Sequence, residues 1–151
     1  MSPKKSVTSV GFQLKNITTE QFATIPKAYD HKNQEINMDL GLSFGVDTKN
    51  KMIAVFVKVQ FEQQEKPFII VEIANHFQVE EDAWNSFCTD SKRIIIPKGF
   101  ATHLLVLTIG TIRGVLHGKT ENTEFNHLIL PTINTTELIK TDIELTIESH
   151  S

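Results

Sequence analysis

Residues Pro97–Thr120 read PKGFATHLLVLTIGTIRGVLHGKT, the most apolar long run in the chain, and its conformation decides the fold. Ala101, Leu104, Leu105, Ile109, Ile112, Val115 and Leu116 follow i, i+3, i+4, i+7 spacing, the signature of one helix face. Strict alternation fails across Leu104–Leu107, and a strand of this length would be unusual. Pro97 suits a helix start, and Gly118 before Lys119 suits a stop. A helix is expected, although interior glycines each cost about 1 kcal/mol relative to alanine. Gly110, Gly114 and Gly118 recur every fourth residue and clear one side of that helix for a close neighbour. At Gly110 and Gly114 that neighbour is either a second copy of the chain or the chain's own sheet. His103 and Arg113 interrupt the run, which falls short of the ~20 apolar residues of a membrane span.

Upstream the pattern changes to a period of two. Val10, Phe12 and Leu14 alternate with small or polar residues, as in a half-buried strand. A stretch with no sustained period follows, ITTEQFATIPKAYDHKNQ, carrying Phe22, Ile25 and Tyr29. Long irregular connections are uncommon in compact domains and often functional. INMDLGLSF then alternates cleanly, with Ile36, Met38, Leu40, Leu42 and Phe44 on one face. GVDTKNK supplies turn chemistry, and KMIAVFVKVQFE is a strand facing Ile53, Val55, Val57, Val59 and Phe61 one way. After the short gap QQEK, PFIIVEIANHFQV is a fourth strand with Glu72 opposite its apolar stripe. Short connections between the last three strands favour an antiparallel sheet, and one apolar sheet face needs a covering layer. EEDAWNSFCTD reads as a short helix or turn, and a short helix is expected after Asn134-Thr135-Thr136. The expected class is α+β: a four-stranded antiparallel sheet covered by one long helix and a short C-terminal helix.

At 151 residues the chain suits one domain, taken as 10–151 behind a polar, disordered tail at 1–9. Hydrophobic content of 40% and charged content of 22% are those of a globular protein. A net charge of −3 gives no basic face for nucleic acid. The single Cys88 cannot form an internal disulfide, and the opening MSPKKSVTSVGFQ has no apolar signal region. A cytoplasmic protein without membrane insertion is expected. Catalytic chemistry leaves no trace: the six histidines are scattered, Cys88 has no CxxC partner, and GTIRGVLHG matches no phosphate loop. No enzyme activity, cofactor or metal is expected.

The order of these features resembles the SecB-type protein-export chaperones, including the SecB-like branch associated with toxin–antitoxin systems. The resemblance runs from Phe12 to about Ile139: FQLKNIT before a long connection, three strands ending in FIIVEIANHF, and Ile96-Pro97 opening the long helix. Arg113-Gly114 followed by Lys119 is similar to the RG…K pattern of the SecB-like branch, and LPTIN followed by Glu137-Leu138-Ile139 to the stretch before the last helix. Asn75-His76 replaces a glycine pair common in the family, and Thr135 an aromatic.

The resemblance implies an ATP-independent holdase that binds unfolded or presecretory chains in apolar grooves, and a homotetramer built as a dimer of dimers. It implies client contacts from Phe22, Ile25 and Tyr29 in the first connection and Leu138 and Ile139 in the last segment, with Trp84 and Phe87 as further candidates. For each, the competing reading is burial in the monomer core. Gly110 and Gly114 become oligomer contacts. Glu72 sits where the family docks the SecA translocase motor, or is an ordinary surface charge. The alternatives are an adaptor dedicated to one partner, such as a toxin–antitoxin component, and an enzyme or small-ligand binder with an enclosed polar pocket.

Overall fold

The computed structural model describes residues 10–147. Strands β1 (Phe12–Thr24), β2 (Asn37–Asp47), β3 (Met52–Gln63) and β4 (Lys66–Val79) form one antiparallel sheet in the order β1-β4-β3-β2. Helix α1 (Glu81–Phe87), strand β5 (Arg93–Ile96), helix α2 (Lys98–Thr120), the single-turn helix α3 (Thr135–Leu138) and strand β6 (Ile143–Thr146) follow. The fold is α+β, with the four-stranded sheet, long helix and short C-terminal helix that the sequence implies.

The register explains the core. Val46, Leu42 and Leu40 of β2 stand opposite Ile53, Val57 and Val59 of β3, which stand opposite Phe77, Ile73 and Val71 of β4. Directly opposed residues share a face, so the alternating apolar positions stack into one layer. α2 lies across β3 and β4 and buries Ala101, Leu104, Leu105, Ile109, Ile112 and Leu116 there. The β3 and β4 stripes are fully buried, whereas Met38, Leu40, Leu42, Phe44 and Val46 of β2 remain half-buried.

Strand β1 is longer than the sequence suggests. The stretch read as irregular from Ile17 onward continues the strand to Thr24, leaving only residues 25–36 as the connection, with a 3-10 turn at Pro26–Ala28. Two bulges are responsible, between Leu14 and Asn16 and between Thr19 and Gln21. They place Phe12, Leu14, Ile17, Thr19, Phe22 and Thr24 on the helix-facing side, so the spacing alternates between two and three residues. A strict test for period two cannot find such a strand.

β5 and β6 were not expected either. They pair with each other, Arg93 opposite Thr146 and Ile96 opposite Ile143, across almost fifty residues of chain. The segment after α3 is therefore a strand, and the C-terminal helix is a single turn. Asp142, just before β6, accepts a hydrogen bond from the Lys98 N–H at 2.8 Å and so caps the start of α2 from a distance.

α2 runs two residues beyond Gly118, to Thr120. At 23 residues, with a mean hydropathy of 1.5 in its most apolar window, it is long and apolar enough to cross a membrane, contrary to the expectation from sequence. In this fold its inner side is the core of the sheet. Its threonines fit there because the hydroxyls of Thr102, Thr108, Thr111 and Thr120 each donate to a carbonyl four residues back.

Asn75 is the polar exception between sheet and helix. Fully buried, it donates through Nδ2 to Thr111 Oγ1 at 3.0 Å and, more weakly, to Thr108 Oγ1 at 3.4 Å. Its Oδ1 has no protein partner. A stranded buried acceptor costs about 1–3 kcal/mol, more than a neutral hydrogen bond returns. Asn75→Val is therefore expected to raise the unfolding free energy by about 1 kcal/mol. Chemical denaturation measures this; a lowered midpoint would show that the tie to the threonines outweighs the orphaned oxygen.

Candidate functional site

Exposed large apolar side chains cluster on α2, on the edge strand β1 and on the segments around the end of α2. Val106 and Leu107 are 48% and 39% exposed on the outward side of α2, and Leu14 and Ile17 are 42% and 48% exposed on β1. Gly110 and Gly114 lie on the same outward side, and a Cβ built on either meets no atom within 4 Å. The glycine row does not pack against the chain's own sheet. It is an open, apolar strip.

The residues proposed from the sequence separate into two groups. Trp84, Phe87 and Ile139 are buried, Phe87 against Phe100 at 5.6 Å between ring centroids. These three side chains are spent on the monomer core and present no surface to a client; α1 turns Ala83, Trp84 and Phe87 into that core and contacts β5. Ile25 and Leu138, at 40% and 41% exposure, do face solvent. Phe22 is half-buried on the helix-facing side of β1, with Lys119 Nζ 5.8 Å above its ring. Tyr29 is half-buried in an aromatic group with Phe68 and Phe125, 4.8 and 5.2 Å away. Phe22 and Tyr29 thus gather around the end of α2 and the turn after it, while Leu138 comes from α3, which packs on α2. Ile129, 65% exposed in the segment before α3, is a further open apolar side chain that sequence reasoning misses, because an irregular stretch shows no period.

One buried side chain makes three of the bonds that pin the first connection. Gln63, only 3% exposed, accepts from the Asp30 N–H and donates to the Asp30 and Asn33 carbonyls. His31 adds a contact of 3.2 Å to Glu124, between two exposed groups and so weakly stabilising. The segment after α2 is held likewise: Arg113 donates from Nε to the Leu130 carbonyl at 3.0 Å and from Nη2 to the Pro131 carbonyl at 2.9 Å.

Glu72 stands on the opposite, outer face of the sheet, half-buried between Lys58 of β3 and Gln21 of β1. Its cross-strand neighbour is thus a cation, which suits an acidic residue on a solvated sheet. The outer face has an open hollow of about 270 Å³ beside Gly45, Met52, Ala54, Phe56 and His76. A second hollow of about 480 Å³, spanned by the Lys51–Glu81 ion pair, opens at the start of β1. Among the described residues no cluster of His, Cys, Asp or Glu could hold a metal. Asp47 and Asp90 are held below the usual carboxylate range by hydrogen bonds, chiefly from the Asn50 side chain and the Lys92 N–H respectively. Arg93 is raised by its hydrogen bonds to Glu144 and Asp90. All three are surface pairings.

Comparison of the coordinates with solved structures finds a SecB-like chaperone from Mycobacterium tuberculosis, solved in complex with a peptide from an antitoxin. It superposes with a TM-score of 0.53 at 16% identity, over 81% of this chain and 90% of that one. The chain has the SecB-like fold. A protein of unknown function from Streptococcus agalactiae also aligns, at 11% identity over 84% of this chain and 99% of that one, but its TM-score of 0.40 is too loose to build on. No family profile and no curated protein matches the sequence.

In this SecB-like fold the strap from Leu128 to Ile139 depends on Arg113. Leu130 and Ile139 anchor it in the core, and Arg113 fixes the backbone beside the first anchor. Arg113→Ala is expected to cost about 2 kcal/mol, since hydrogen bonds to a charged group are the strong ones. Amide exchange across residues 128–139 should accelerate selectively. Uniform acceleration throughout the chain would instead mean that the arginine supports the whole domain.

Proposed function

We propose that the protein is an ATP-independent holdase, which captures unfolded or presecretory polypeptides on exposed apolar surface. The SecB-like fold carries this reading. It is supported by the apolar side chains left open on that fold: Ile25 and Phe22 at the first connection, and Ile129 and Leu138 on the strap. Each large side chain buried by a client contributes roughly 1–3 kcal/mol, so useful affinity needs several at once. Trp84, Phe87 and Ile139 take part only if the core around them opens; Tyr29 contributes its half-exposed edge. No catalytic step is required of such a protein.

The assembly proposed is a homotetramer, a dimer of dimers, with the strip of Val106, Leu107, Gly110 and Gly114 as an interface between copies. Oligomerisation would multiply the sites available to one tethered client. A cytoplasmic location and delivery of clients to the SecA motor, with Glu72 on the docking face, complete the reading. The adaptor alternative rests on one observation: the mycobacterial neighbour was solved with a single antitoxin peptide.

The direct test is suppression of aggregation of an unfolded protein, with no nucleotide present. We expect suppression by the wild type and about thirtyfold weaker capture by Ile25→Asp/Leu138→Asp, whose two changes remove about 2 kcal/mol of apolar contact. Inactivity toward several unfolded proteins at excess would defeat the holdase reading, and a pull-down dominated by one partner would then favour the adaptor. For the assembly, Gly114→Leu should lower the solution mass or the melting temperature. An unchanged tetramer would exclude the glycine strip as its seam.

A further inference from the structure

The sheet has two edges, and they are built differently. β1 carries two bulges together with Lys15 and Glu20, features that discourage another strand from pairing there. β2 has no bulge and no cation, and its charges are two aspartates, Asp39 and Asp47. Its eleven residues pair with β3 in unbroken register from Asn37 to Asp47, with no proline, lysine or arginine. Among the described residues β6 contacts β2 without pairing with it, and no strand pairs with its outer side, so alternate residues point their N–H and C=O outward. The two faces flanking this edge are dissimilar. Toward the helix layer stand Met38, Leu40, Leu42, Phe44 and Val46, all half-buried. On the other face Gly41, Ser43 and Gly45 leave almost no side chain, and the 270 Å³ hollow beside Phe56 adjoins Gly45.

We infer that the outer edge of β2 is a strand-addition site, at which an extended, apolar, neutral or basic segment of a client joins the sheet as a fifth strand. The inference rests on the holdase reading and specifies how a client backbone is held. Strand addition supplies main-chain hydrogen bonds that do not depend on sequence, while alternate side chains find apolar surface. One side of such a client lies beside Leu40, Leu42 and Phe44; the other meets the glycine-lined face and its hollow. Charge decides the occupant. The only charges on β2 are Asp39 and Asp47, the latter accepting a hydrogen bond from Asn50 Nδ2 at 2.8 Å. A lysine-bearing segment neutralises them, whereas a second copy of β2 would bring four aspartates and no cation to the joint.

The probe is a peptide of about twelve residues that alternates leucine with serine or lysine. With the peptide at about 100 times its dissociation constant, we expect exchange of alternate β2 amides to slow about a hundredfold. The intervening amides, already bonded to β3, should not change. N-methylation of alternate peptide nitrogens should weaken binding about tenfold in one phase and little in the other. Asp39→Lys, at an exposed position, leaves the edge with no net charge and should abolish the preference for the lysine over the glutamate version of the peptide. Peptide binding that leaves the β2 amides unprotected would overturn the inference, as would failure to bind the peptide while unfolded protein is still held; in both cases the holdase reading stands. Protection of the same amides by rising protein concentration alone would assign the edge to a second copy. Failure to hold either peptide or unfolded protein would overturn both.

Discussion

One helix covers a sheet of four strands, and the mismatch in width governs the rest of the structure. A helix with its side chains is about 10–12 Å across, and strands are spaced about 4.8 Å apart. α2 can therefore seal about two strands, and it seals β3 and β4, whose helix-facing residues are almost wholly excluded from solvent. The outer strands are left half-covered. On one side the first connection and the strap after α2 supplement the cover; on the other, β6 contacts β2, whose apolar row stays half-buried. Monomeric soluble proteins rarely leave extended apolar surface without a use. The exposed side chains belong to the architecture rather than to isolated surface positions.

The contacts that place the covering pieces are polar and few. Asn75 ties the sheet to α2, Arg113 holds the strap, Gln63 holds the connection, and Asp142 caps α2 from the C-terminal segment. Directional bonds of this kind set position, while apolar burial supplies most of the stability. Asn75 shows the tension between the two. Its amide fixes the helix against the sheet and strands an oxygen in doing so.

Legibility in the sequence followed the regularity of each element. β2, β3, β4 and α2 keep their periods for eleven residues or more, and their residues and faces were readable directly. β1 was cut short because its two bulges alternate the spacing between two and three. β5 and β6 are four residues each and exist only through their distant pairing, which no local window contains. Among the site residues, Ile25 and Leu138 were found as exposed positions, whereas Trp84, Phe87 and Ile139 were not separable from core residues. An apolar side chain looks the same in sequence whether it faces inward or outward when its element is too short to show a period. The open side of the glycine row needed the structure, since spacing alone cannot say which neighbour it serves.

The three hydrogen bonds of Gln63 have a consequence for recognition. They use both donors of its amide and one acceptor site, so the connection bearing Ile25 and Tyr29 is tied to the end of β3 in the folded chain itself. Ordering a loop at the moment of association subtracts from affinity. Here the Gln63 bonds order the segment beforehand, leaving a preorganised apolar ledge. On the proposed holdase reading, contacts made there would be weakened mainly by the client's own loss of freedom.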